Sequence, residues 1–465
     1  MNTVKLKKFV AYPILQTLKY LYGMVPLSCR YGKVFRETYK FLCESQWWSR
    51  EKLEVYQMQQ LGKLLSHAYE NVPYYRKIFD ERALKPKDIN RLEDLKKLPY
   101  LTKDIIRNNL DDLVSKNFPK NKLKTQNTSG TTGTKLKYYV QDYGIVDPIE
   151  AAFVWRQWGW VGVKYHEKRI VLRGELFPAT KKGNKKLFKY NPVDNELILS
   201  SYMMTRENLS LYIELIRKFS PSIVQGYPSS LYILSVFINS NRIKLNDIKC
   251  VLTSSETLFH DHLVEIEKAF NAKIYDLYGQ NEKCAMIVQC ERFHYHTVPE
   301  YGVVELEENR MIDNKKYNEI IGTGFNNFAF PFIRYRTQDF VDLNSEMCSC
   351  KRNFPIVKKI IGRLHDFLVT REGNYIPLIG NTDGLKWDVS EKVEKAQLYQ
   401  EKAGLLILTI VKKPGYSDKD SDIILSTLKQ RYGEDFTYRI EFVKDIPRTD
   451  SGKFKFLIQK VPVVF

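Results

Sequence analysis

The chain has 465 residues, of which 43% are hydrophobic and 27% charged, so a buried core is feasible and wholesale disorder is excluded. Its length suits two or three domains, and no run of about 18 uninterrupted apolar residues predicts a membrane span. The formal net charge of +19 indicates attraction to an anion, which can be a nucleotide, a coenzyme, a nucleic acid or an acidic lipid.

The first 45 residues form a predicted basic and aromatic amino-terminal arm. Within residues 1–40 the only acidic side chain is Glu37, against the basic residues Lys5, Lys7, Lys8, Lys19, Arg30, Lys33, Arg36 and Lys40. The apolar run in this arm is broken by proline and lysine and has no convincing cleavage site, so it is not typical of a signal peptide. Two interpretations stay open: the arm packs on the domain surface, or it contacts the inner face of the cell membrane.

Cysteine usage bears on the compartment. The chain has 7 cysteines, and an odd number without a secretory signal argues against a disulfide framework. We therefore expect a reducing, cytoplasmic environment.

Hydrophobic periodicity predicts an α/β fold. Leucines at helical spacing indicate a helix over residues 51–70. Parallel βαβ units are predicted in the middle of the chain, with strands at 222–226, 248–255 and 272–279 and helices at 229–238 and 262–270. After about residue 300, β runs prevail. We expect a large domain over residues 46–362, with a β subdomain, and a small mobile α+β domain over residues 363–465.

A polar loop stands before a short predicted strand. Its residues are Thr128, Ser129, Gly130, Thr131, Thr132, Gly133 and Thr134. Small residues of this kind let several backbone N–H groups converge on an anion, with hydroxyl groups as further donors. The loop lacks the closing Gly-Lys-Ser/Thr of a Walker loop, and a strand follows it instead of a helix. A flexible polar loop is the other interpretation.

Five further motifs follow this loop in chain order. They are Ser255-Glu256-Thr257, Tyr278-Gly279-Gln280-Asn281-Glu282, Tyr335-Arg336-Thr337-Gln338-Asp339, Gly362-Arg363-Leu364-His365-Asp366 and Pro447-Arg448-Thr449-Asp450-Ser451-Gly452-Lys453. With the loop, they resemble the ordered motifs of the adenylate-forming enzymes, a superfamily that includes acyl-coenzyme A synthetases, peptide-synthetase adenylation domains and luciferases. Two positions depart from that pattern: Gln338 replaces a usual glycine, and His365 a usual acidic residue.

The resemblance implies an AMP-forming ligase that activates a carboxylic acid with ATP. It implies that the loop cradles the β- and γ-phosphates and that Ser255 and Glu256 lie beside the adenine. The ATP site would further include Tyr278, with Asp339 and Arg363 at the ribose. Glu282 would help to hold Mg²⁺, and Lys453 would bridge the acyl carboxylate and the phosphate. The segment containing His365 and Asp366 would be the hinge of the small domain.

A closer resemblance is to the phenylacetate–coenzyme A ligase-like group, and in particular to its capsular polysaccharide branch. It rests on three stretches, ENVPYYR at 70–76, LPYLTK at 98–103 and PSIVQGYP at 221–228, and covers most of the chain beyond about residue 45. That group often carries structural zinc. The ligands implied here are Cys290, His296, Cys348 and Cys350, with His294 as an alternative imidazole and free cysteines as the other interpretation.

Two functions share the adenylation step. In the first, an amine that can be linked to a sugar attacks the adenylate and an amide forms during synthesis of a surface polysaccharide. In the second, coenzyme A attacks and a thioester forms. A nucleic-acid-binding protein is a third class, but only the positive charge favours it, because no zinc-finger helix, ribonucleoprotein motif or basic-region heptad is present. We therefore expect no nucleic-acid partner.

Overall fold

The structure is a computed structural model that describes most of the chain. The described residues are 12–127, 136–141, 143–175, 177, 187–201, 203–204, 206–312, 315–343, 348–360, 367–373, 375–377, 392–446 and 457–461. Within these ranges no helix combines the length and the apolar character that crossing a membrane requires.

Helices dominate the first part of the described chain and then alternate with strands. They are α1 (Tyr12–Gly23), α2 (Leu27–Arg30), α3 (Gly32–Ser45), α4 (Arg50–Asn71), α5 (Pro73–Glu81), α6 (Lys103–Asn108), α7 (Tyr143–Trp160), α8 (Arg206–Phe219), α9 (Pro228–Ser240), α10 (His260–Phe270) and α11 (Asp418–Tyr432). Helix α4 confirms the helix predicted over residues 51–70. It begins after Ser49, whose side chain accepts a hydrogen bond from the Lys52 amide at 3.3 Å.

One twelve-stranded sheet organises the described part of the large domain. Its strands are β3 (Arg169–Arg173), β4 (Phe188–Asn191), β5 (Glu196–Ser200), β6 (Ile223–Gly226), β7 (Cys250–Ser254), β8 (Ile274–Gly279), β9 (Met286–Gln289), β10 (Tyr295–Thr297), β11 (Gly302–Ile312), β12 (Lys315–Gly324), β13 (Tyr335–Leu343) and β14 (Ile356–Ile360). They lie in the order β11-β12-β13-β14-β10-β9-β8-β7-β6-β3-β5-β4. The β runs predicted after residue 300 are therefore confirmed.

The predicted βαβ units are also confirmed. Strands β3, β6, β7 and β8 are mutually parallel neighbours, with α9 and α10 connecting β6 to β7 and β7 to β8. Helix α9 lies close to the sheet because β6 ends in Gly226. A β-carbon there would lie 2.8 Å from the carbonyl oxygen of Leu172 on β3, closer than real contacts allow.

The amino-terminal arm is largely helical over its described residues, and part of it packs on the large domain. Phe35 and Leu42 of α3 are buried against α7. Beside them Arg156 of α7 and Glu300 form a fully buried ion pair of 2.7 Å, and Glu300 also accepts a hydrogen bond from Ser45 at 2.7 Å. This packing agrees with the first interpretation of the arm for residues 32–45.

The smaller elements lie before and after the large sheet. Strands β1 (Lys124–Asn127) and β2 (Lys137–Val140) pair antiparallel on either side of the polar loop. In the carboxy-terminal part, β15 (Phe367–Val369) pairs with β16 (Tyr375–Pro377), and a four-stranded sheet has the order β19-β18-β17-β20. The strands of that sheet are β17 (Val393–Gln400), β18 (Leu405–Lys412), β19 (Thr437–Phe442) and β20 (Leu457–Gln459). It packs with α11, as the α+β texture of this region predicts.

Candidate active site and metal centre

Tyr278 and Asp339 meet although their strands are not neighbours. The Tyr278 hydroxyl donates a hydrogen bond to Oδ2 of Asp339 at 2.9 Å. Strands β8 and β13 lie four places apart in the sheet, and a flat sheet would separate them by about 19 Å at roughly 4.8 Å per strand. The sheet must therefore curl strongly between them, and this curl brings the two motifs to one place.

Glu282 lies in the turn that follows β8, and it is joined to the same strand as Asp339. The hydroxyl of Tyr335, the first residue of β13, donates to Oε1 of Glu282 at 2.7 Å. Glu282 is buried, and Lys283 after it has a left-handed backbone with φ of 55°. Two tyrosines thus connect the YGQNE and YRTQD segments reciprocally, each donating to a carboxylate of the other segment.

Ser255 and Glu256 follow the carboxyl end of β7, next to the ends of β6 and β8. Ser255 has φ of 73° and is exposed, whereas Glu256 is buried. Oε2 of Glu256 accepts a hydrogen bond from the Ser229 amide, in the first turn of α9, at 3.0 Å. Burial raises the pKa of Glu256 to about 8. The crevice at the carboxyl ends of parallel strands is where open α/β sheets bind ligands.

Several predicted site residues lie outside the described residues. They are the loop residues 128–134, Arg363, His365, Asp366 and Lys453. The described chain fixes the two ends of the loop, because Asn127 of β1 is paired with Lys137 of β2.

The structure adds two side chains to which the motifs gave no role. Tyr335 holds Glu282, and Gln280 holds Tyr278: the side-chain amide of Gln280 donates to the Tyr278 hydroxyl at 3.0 Å and accepts from the Ala285 amide at 3.1 Å. Burial raises the pKa of Tyr278 well above its usual value, so the phenol stays protonated and acts as a donor to Asp339. The only sequence signal for either residue is its place within a matched motif.

Gln338, which stands where the resembled motif usually has glycine, has the backbone conformation of a glycine. Its φ is 64°, in the left-handed region where glycine is the usual residue. The backbone amide of Gln338 donates to Oε1 of Glu319 at 3.2 Å, and its side-chain oxygen accepts from Lys103 Nζ at 3.2 Å. The backbone therefore keeps the shape that a glycine would favour, and a glutamine occupies it.

Three cysteines and one histidine form a cluster beside β10 and β14. The ligand atoms of Cys290, His296, Cys348 and Cys350 all lie within 4.8 Å of one another. The Sγ atoms of Cys290 and Cys348 are 3.6 Å apart, and Cys350 Sγ is 3.5 Å from His296 Nε2. A tetrahedral zinc site has ligand separations of about 3.8 Å for two sulfurs and about 3.6 Å for sulfur and nitrogen. The donor set and its spacing therefore fit zinc.

The two candidate histidines differ in what their rings contact. His296 is fully buried, its Nε2 faces the cluster, and its Nδ1 lies 3.2 Å from the Phe354 carbonyl oxygen. A proton on Nδ1 bound to that carbonyl leaves the Nε2 lone pair available for a metal, the usual arrangement around metal-bound histidine. His294 Nδ1 lies 3.4 Å from Cys348 Sγ but 2.9 Å from the Arg292 carbonyl oxygen, so a protonated Nδ1 donates to that carbonyl and has no lone pair for a metal. The geometry favours His296.

Comparison with known proteins shows which proteins this chain resembles. The model of the CapK C-terminal domain matches residues 368–460. The chain is 28% identical over 445 residues to protein CapK of Staphylococcus aureus, covering 94% of this chain and 95% of that protein. It is 26% identical over 365 residues to the phenylacetate–coenzyme A ligase of Pseudomonas putida, covering 76% of this chain and 80% of the ligase. The chain is therefore similar over most of its length to CapK and to phenylacetate–coenzyme A ligases.

A solved structure agrees with the fold of this chain. A 2-hydroxyisobutyryl-CoA ligase in complex with 2-HIB-AMP and CoA, in the thioesterification state, superposes with a TM-score of 0.58 at 17% identity. The match covers 89% of this chain and 92% of that one. The resemblance to this group and the α/β fold class are thus confirmed, and the similarity to the ligases agrees with an AMP-forming ligase.

Proposed function

We propose that the protein activates a carboxylic acid with ATP to an acyl-adenylate and passes the acyl group to an amine in the synthesis of a bacterial surface polysaccharide. The reciprocal hydrogen bonds between the YGQNE and YRTQD segments support the activation step of this proposal. Tyr278 binds Asp339 and Tyr335 binds Glu282, so both carboxylates are held at the curled part of the sheet, near the carboxyl ends of the parallel strands.

In the first step an oxygen of the acid's carboxylate attacks the α-phosphorus of ATP. The bond between the α-phosphorus and the oxygen that bridges to the β-phosphorus breaks, and pyrophosphate leaves with the electron pair. Both reactants are anions, so the enzyme must hold them in line and offset their repulsion. We assign Asp339, oriented by Tyr278, to accept hydrogen bonds from the ribose hydroxyls, with Arg363 supporting the same sugar.

The phosphates need cationic and backbone partners. We assign the loop 128–134, between the paired strands β1 and β2, to the β- and γ-phosphates, and Lys453 to the developing charge between carboxylate and α-phosphate. Glu282 would hold Mg²⁺, which screens the triphosphate and the leaving pyrophosphate when bound. Tyr335 limits the orientations of Glu282 by donating to one of its oxygens.

In the second step the nitrogen of an amine attacks the acyl carbon of the adenylate. A carbon–nitrogen bond forms, the bond from the acyl carbon to the phosphate oxygen breaks, AMP leaves, and the nitrogen loses a proton. The relation to CapK supports a product of surface polysaccharide synthesis, because it extends over 94% of this chain, against 76% for the Pseudomonas putida ligase. The matched CapK C-terminal domain supports the same choice.

An acyl- or aryl-coenzyme A ligase is the second candidate function. In that reaction the thiolate of coenzyme A attacks the acyl carbon and a thioester forms. Its support is the resemblance to phenylacetate–coenzyme A ligases from several bacteria, each 23% to 27% identical to this chain.

We also propose that the cysteine–histidine cluster binds one structural zinc ion. Four protein ligands complete a tetrahedral shell, so no open position remains for a substrate. The cluster connects the β9–β10 turn with the segment before β14, both of which belong to the part of the sheet that curls toward β13. Zinc would stabilise that curl. We further propose a cytoplasmic enzyme with peripheral contact at the inner face of the membrane.

Pyrophosphate release tests the proposal. The enzyme is assayed with ATP, Mg²⁺ and a panel of carboxylic acids that includes uronic acids, alone and with amines or coenzyme A. We expect acid-dependent pyrophosphate release, and amide formation when the matching amine is present. Thioester formation with coenzyme A alone would favour the second candidate, and no acid-dependent release with any acid would contradict both. Lys453→Ala should reduce release by orders of magnitude, whereas Lys444→Ala, at an exposed lysine of the same domain, serves as the control.

A further inference from the structure

Helix α1 presents an apolar face to solvent. Ile14 is 56% exposed, Leu18 47%, Leu21 54% and Tyr22 52%, and Met24 just after the helix is 58% exposed. Ile14, Leu18, Leu21 and Tyr22 follow i, i+4, i+7 and i+8 spacing, which places them on one side of a helix. An apolar stripe of this kind normally faces the core, and a contiguous exposed one marks an interaction site.

The opposite side of α1 is the side that packs. Gly23 is buried so closely that a β-carbon would lie 2.4 Å from the Val193 carbonyl oxygen. The Tyr20 ring packs edge-on against His166, with centroids 4.9 Å apart, and the Tyr165 hydroxyl binds the Gly23 carbonyl oxygen. On a helix with 100° per residue, Gly23 lies about 180° from Ile14. Because the side of α1 that contains Gly23 packs on the domain, the opposite apolar side faces solvent.

Arg30 fastens this region to the large domain. Its guanidinium donates to Asp194 at 2.7 Å and to the Val193 carbonyl oxygen at 3.2 Å, and it also contacts the Tyr165 hydroxyl. Only 9% of the Arg30 side chain is exposed. The face formed by Ile14, Leu18, Leu21, Tyr22 and Met24, which we call the apolar face, is thus held on a fixed support.

We propose that the apolar face inserts into the surface of an anionic lipid bilayer and docks the enzyme there. This inference deepens the peripheral location in the proposed function. The choice of lipid rests on charge: besides Arg30, which is paired with Asp194, the described part of the arm up to residue 40 carries Lys19, Lys33, Arg36 and Lys40 against Glu37, and the whole chain has a net charge of +19. A second copy would bring a like-charged surface to the face, whereas an anionic bilayer attracts it.

The face has the composition of an interfacial segment. Leucine, isoleucine and methionine side chains enter the acyl boundary, while tyrosine is favoured at the headgroup level because its ring is apolar and its hydroxyl polar. The 12 described residues of α1 are too few to span a bilayer, so we expect this segment to lie in the plane of the surface. Because its support is rigid, docking would hold the large domain in one orientation on the membrane.

Vesicle flotation tests this proposal on the full-length protein. Wild type is mixed with two kinds of phosphatidylcholine vesicle, one without anionic lipid and one with roughly 30% phosphatidylglycerol. Each mixture is measured at low and at high salt. We expect flotation with the anionic vesicles and a reduced bound fraction at high salt. Leu18→Ser/Leu21→Ser should lower the partition coefficient by about tenfold or more, because two inserted side chains are lost.

Val264→Ser is the matched control. Val264 is 49% exposed on α10, outside the arm, so its substitution should leave flotation unchanged. Ile14→Ser/Met24→Ser, at two exposed sites, repeats the test should the first variant lose its thermal transition.

Equal flotation of wild type and both face variants would overturn the proposal, as would no flotation of wild type. A wild-type dimer that the face variants convert to a monomer would assign the face to a second copy. Pyrophosphate release without vesicles should be unchanged in every variant, so a failure here is distinct from a failure of the proposed reaction.

Discussion

The phenolic oxygen of Tyr278 lies 2.9 Å from Oδ2 of Asp339, and it receives a hydrogen bond from the side chain of Gln280. The tyrosine hydroxyl therefore accepts a hydrogen bond from the turn after β8 and donates one to a carboxylate on β13. This arrangement fixes the position of Asp339 before any nucleotide binds, which reduces the ordering that binding would otherwise require.

Removal of the Tyr278 hydroxyl should weaken nucleotide binding. A hydrogen bond to a charged group contributes about 1.5–3 kcal/mol, so Tyr278→Phe should raise the KM for ATP by roughly 10- to 100-fold with a smaller change in kcat. Steady-state kinetics with varied ATP measure this effect. Tyr190→Phe is the control, since it removes a tyrosine hydrogen bond to Asn195 at the far end of the sheet. An unchanged KM for ATP would remove Tyr278 from the nucleotide site.

Loss of the Glu282 carboxylate should change the metal response. In Glu282→Gln the neutral amide is a poorer ligand for Mg²⁺, so we expect a higher Mg²⁺ concentration for half-maximal pyrophosphate release, by about tenfold. A titration of Mg²⁺ at saturating ATP makes the measurement. Glu265→Gln, on α10, controls for the loss of one negative charge. A wild-type titration curve for Glu282→Gln would contradict its assignment.

The stability of the protein should depend on pH through Glu256. Burial raises the pKa of Glu256 to about 8 from a usual value of 4.5, so the folded state binds this proton more tightly than the unfolded chain. The resulting stability is fully present below about pH 4.5 and is lost as pH rises through about 8. Glu256→Gln, which stays neutral, should therefore gain stability relative to wild type at pH 8.5 by up to a few kcal/mol, and little at pH 5.

Urea unfolding of both proteins at the two pH values tests this dependence. Glu214→Gln, at an exposed carboxylate on α8, is the control and should show no such pH-dependent difference. A constant difference between Glu256→Gln and wild type across this range would show that the carboxyl group does not titrate with an altered pKa.

The metal cluster predicts a stoichiometry and a stability effect. Protein purified without added metal should contain about one zinc per chain by elemental analysis. Cys348→Ser should lower both the zinc content and the melting temperature, because one ligand of a closed tetrahedral site is lost. Cys43→Ser removes a thiol outside the cluster and should retain zinc. A protein that is free of metal and equally stable would contradict the assignment.

The left-handed conformation at residue 338 predicts a stabilising substitution. A non-glycine residue in this region is disfavoured by about 1–2 kcal/mol, while glycine loses about 0.5–1 kcal/mol more backbone entropy on folding. Gln338→Gly should therefore raise the free energy of unfolding by roughly 0.5 kcal/mol. Thermal unfolding is the measurement, with Gln338→Ala as the control that keeps the β-carbon. A lower melting temperature for the glycine variant would show that the contacts of the Gln338 side chain outweigh its backbone strain.

Local pattern was enough to predict the βαβ units, because strand and helix periodicities are properties of short windows. The contact between Tyr278 and Asp339 was beyond such reasoning, since it depends on the curl of the sheet across the strands between β8 and β13. The motif resemblance placed both residues in one nucleotide site without showing which atoms meet. For the zinc ligands, chain spacing left His294 and His296 open, and only the hydrogen bonds of the two rings separate them.

The arm shows another boundary of sequence reasoning. The sequence shows that the arm is basic, apolar and aromatic, but it does not say which side of the segment faces the large domain. The outcome depends on Gly23, whose missing side chain lets that side of α1 approach the Val193 backbone. No window of the sequence contains both partners.

The support of α1 has a consequence for protein handling. Arg30 and Gly23 contact Val193 and Asp194, in the turn between β4 and β5, and β4 is the last strand at that end of the twelve-stranded sheet. Phe188 and Tyr190 of β4 are already partly exposed, at 36% and 39%. A chain shortened past Arg30 would lose the contacts that hold this turn at one end of β4, and a loosened edge strand is the kind of surface on which strands of different molecules pair. Such truncated protein should precipitate more readily than the full chain.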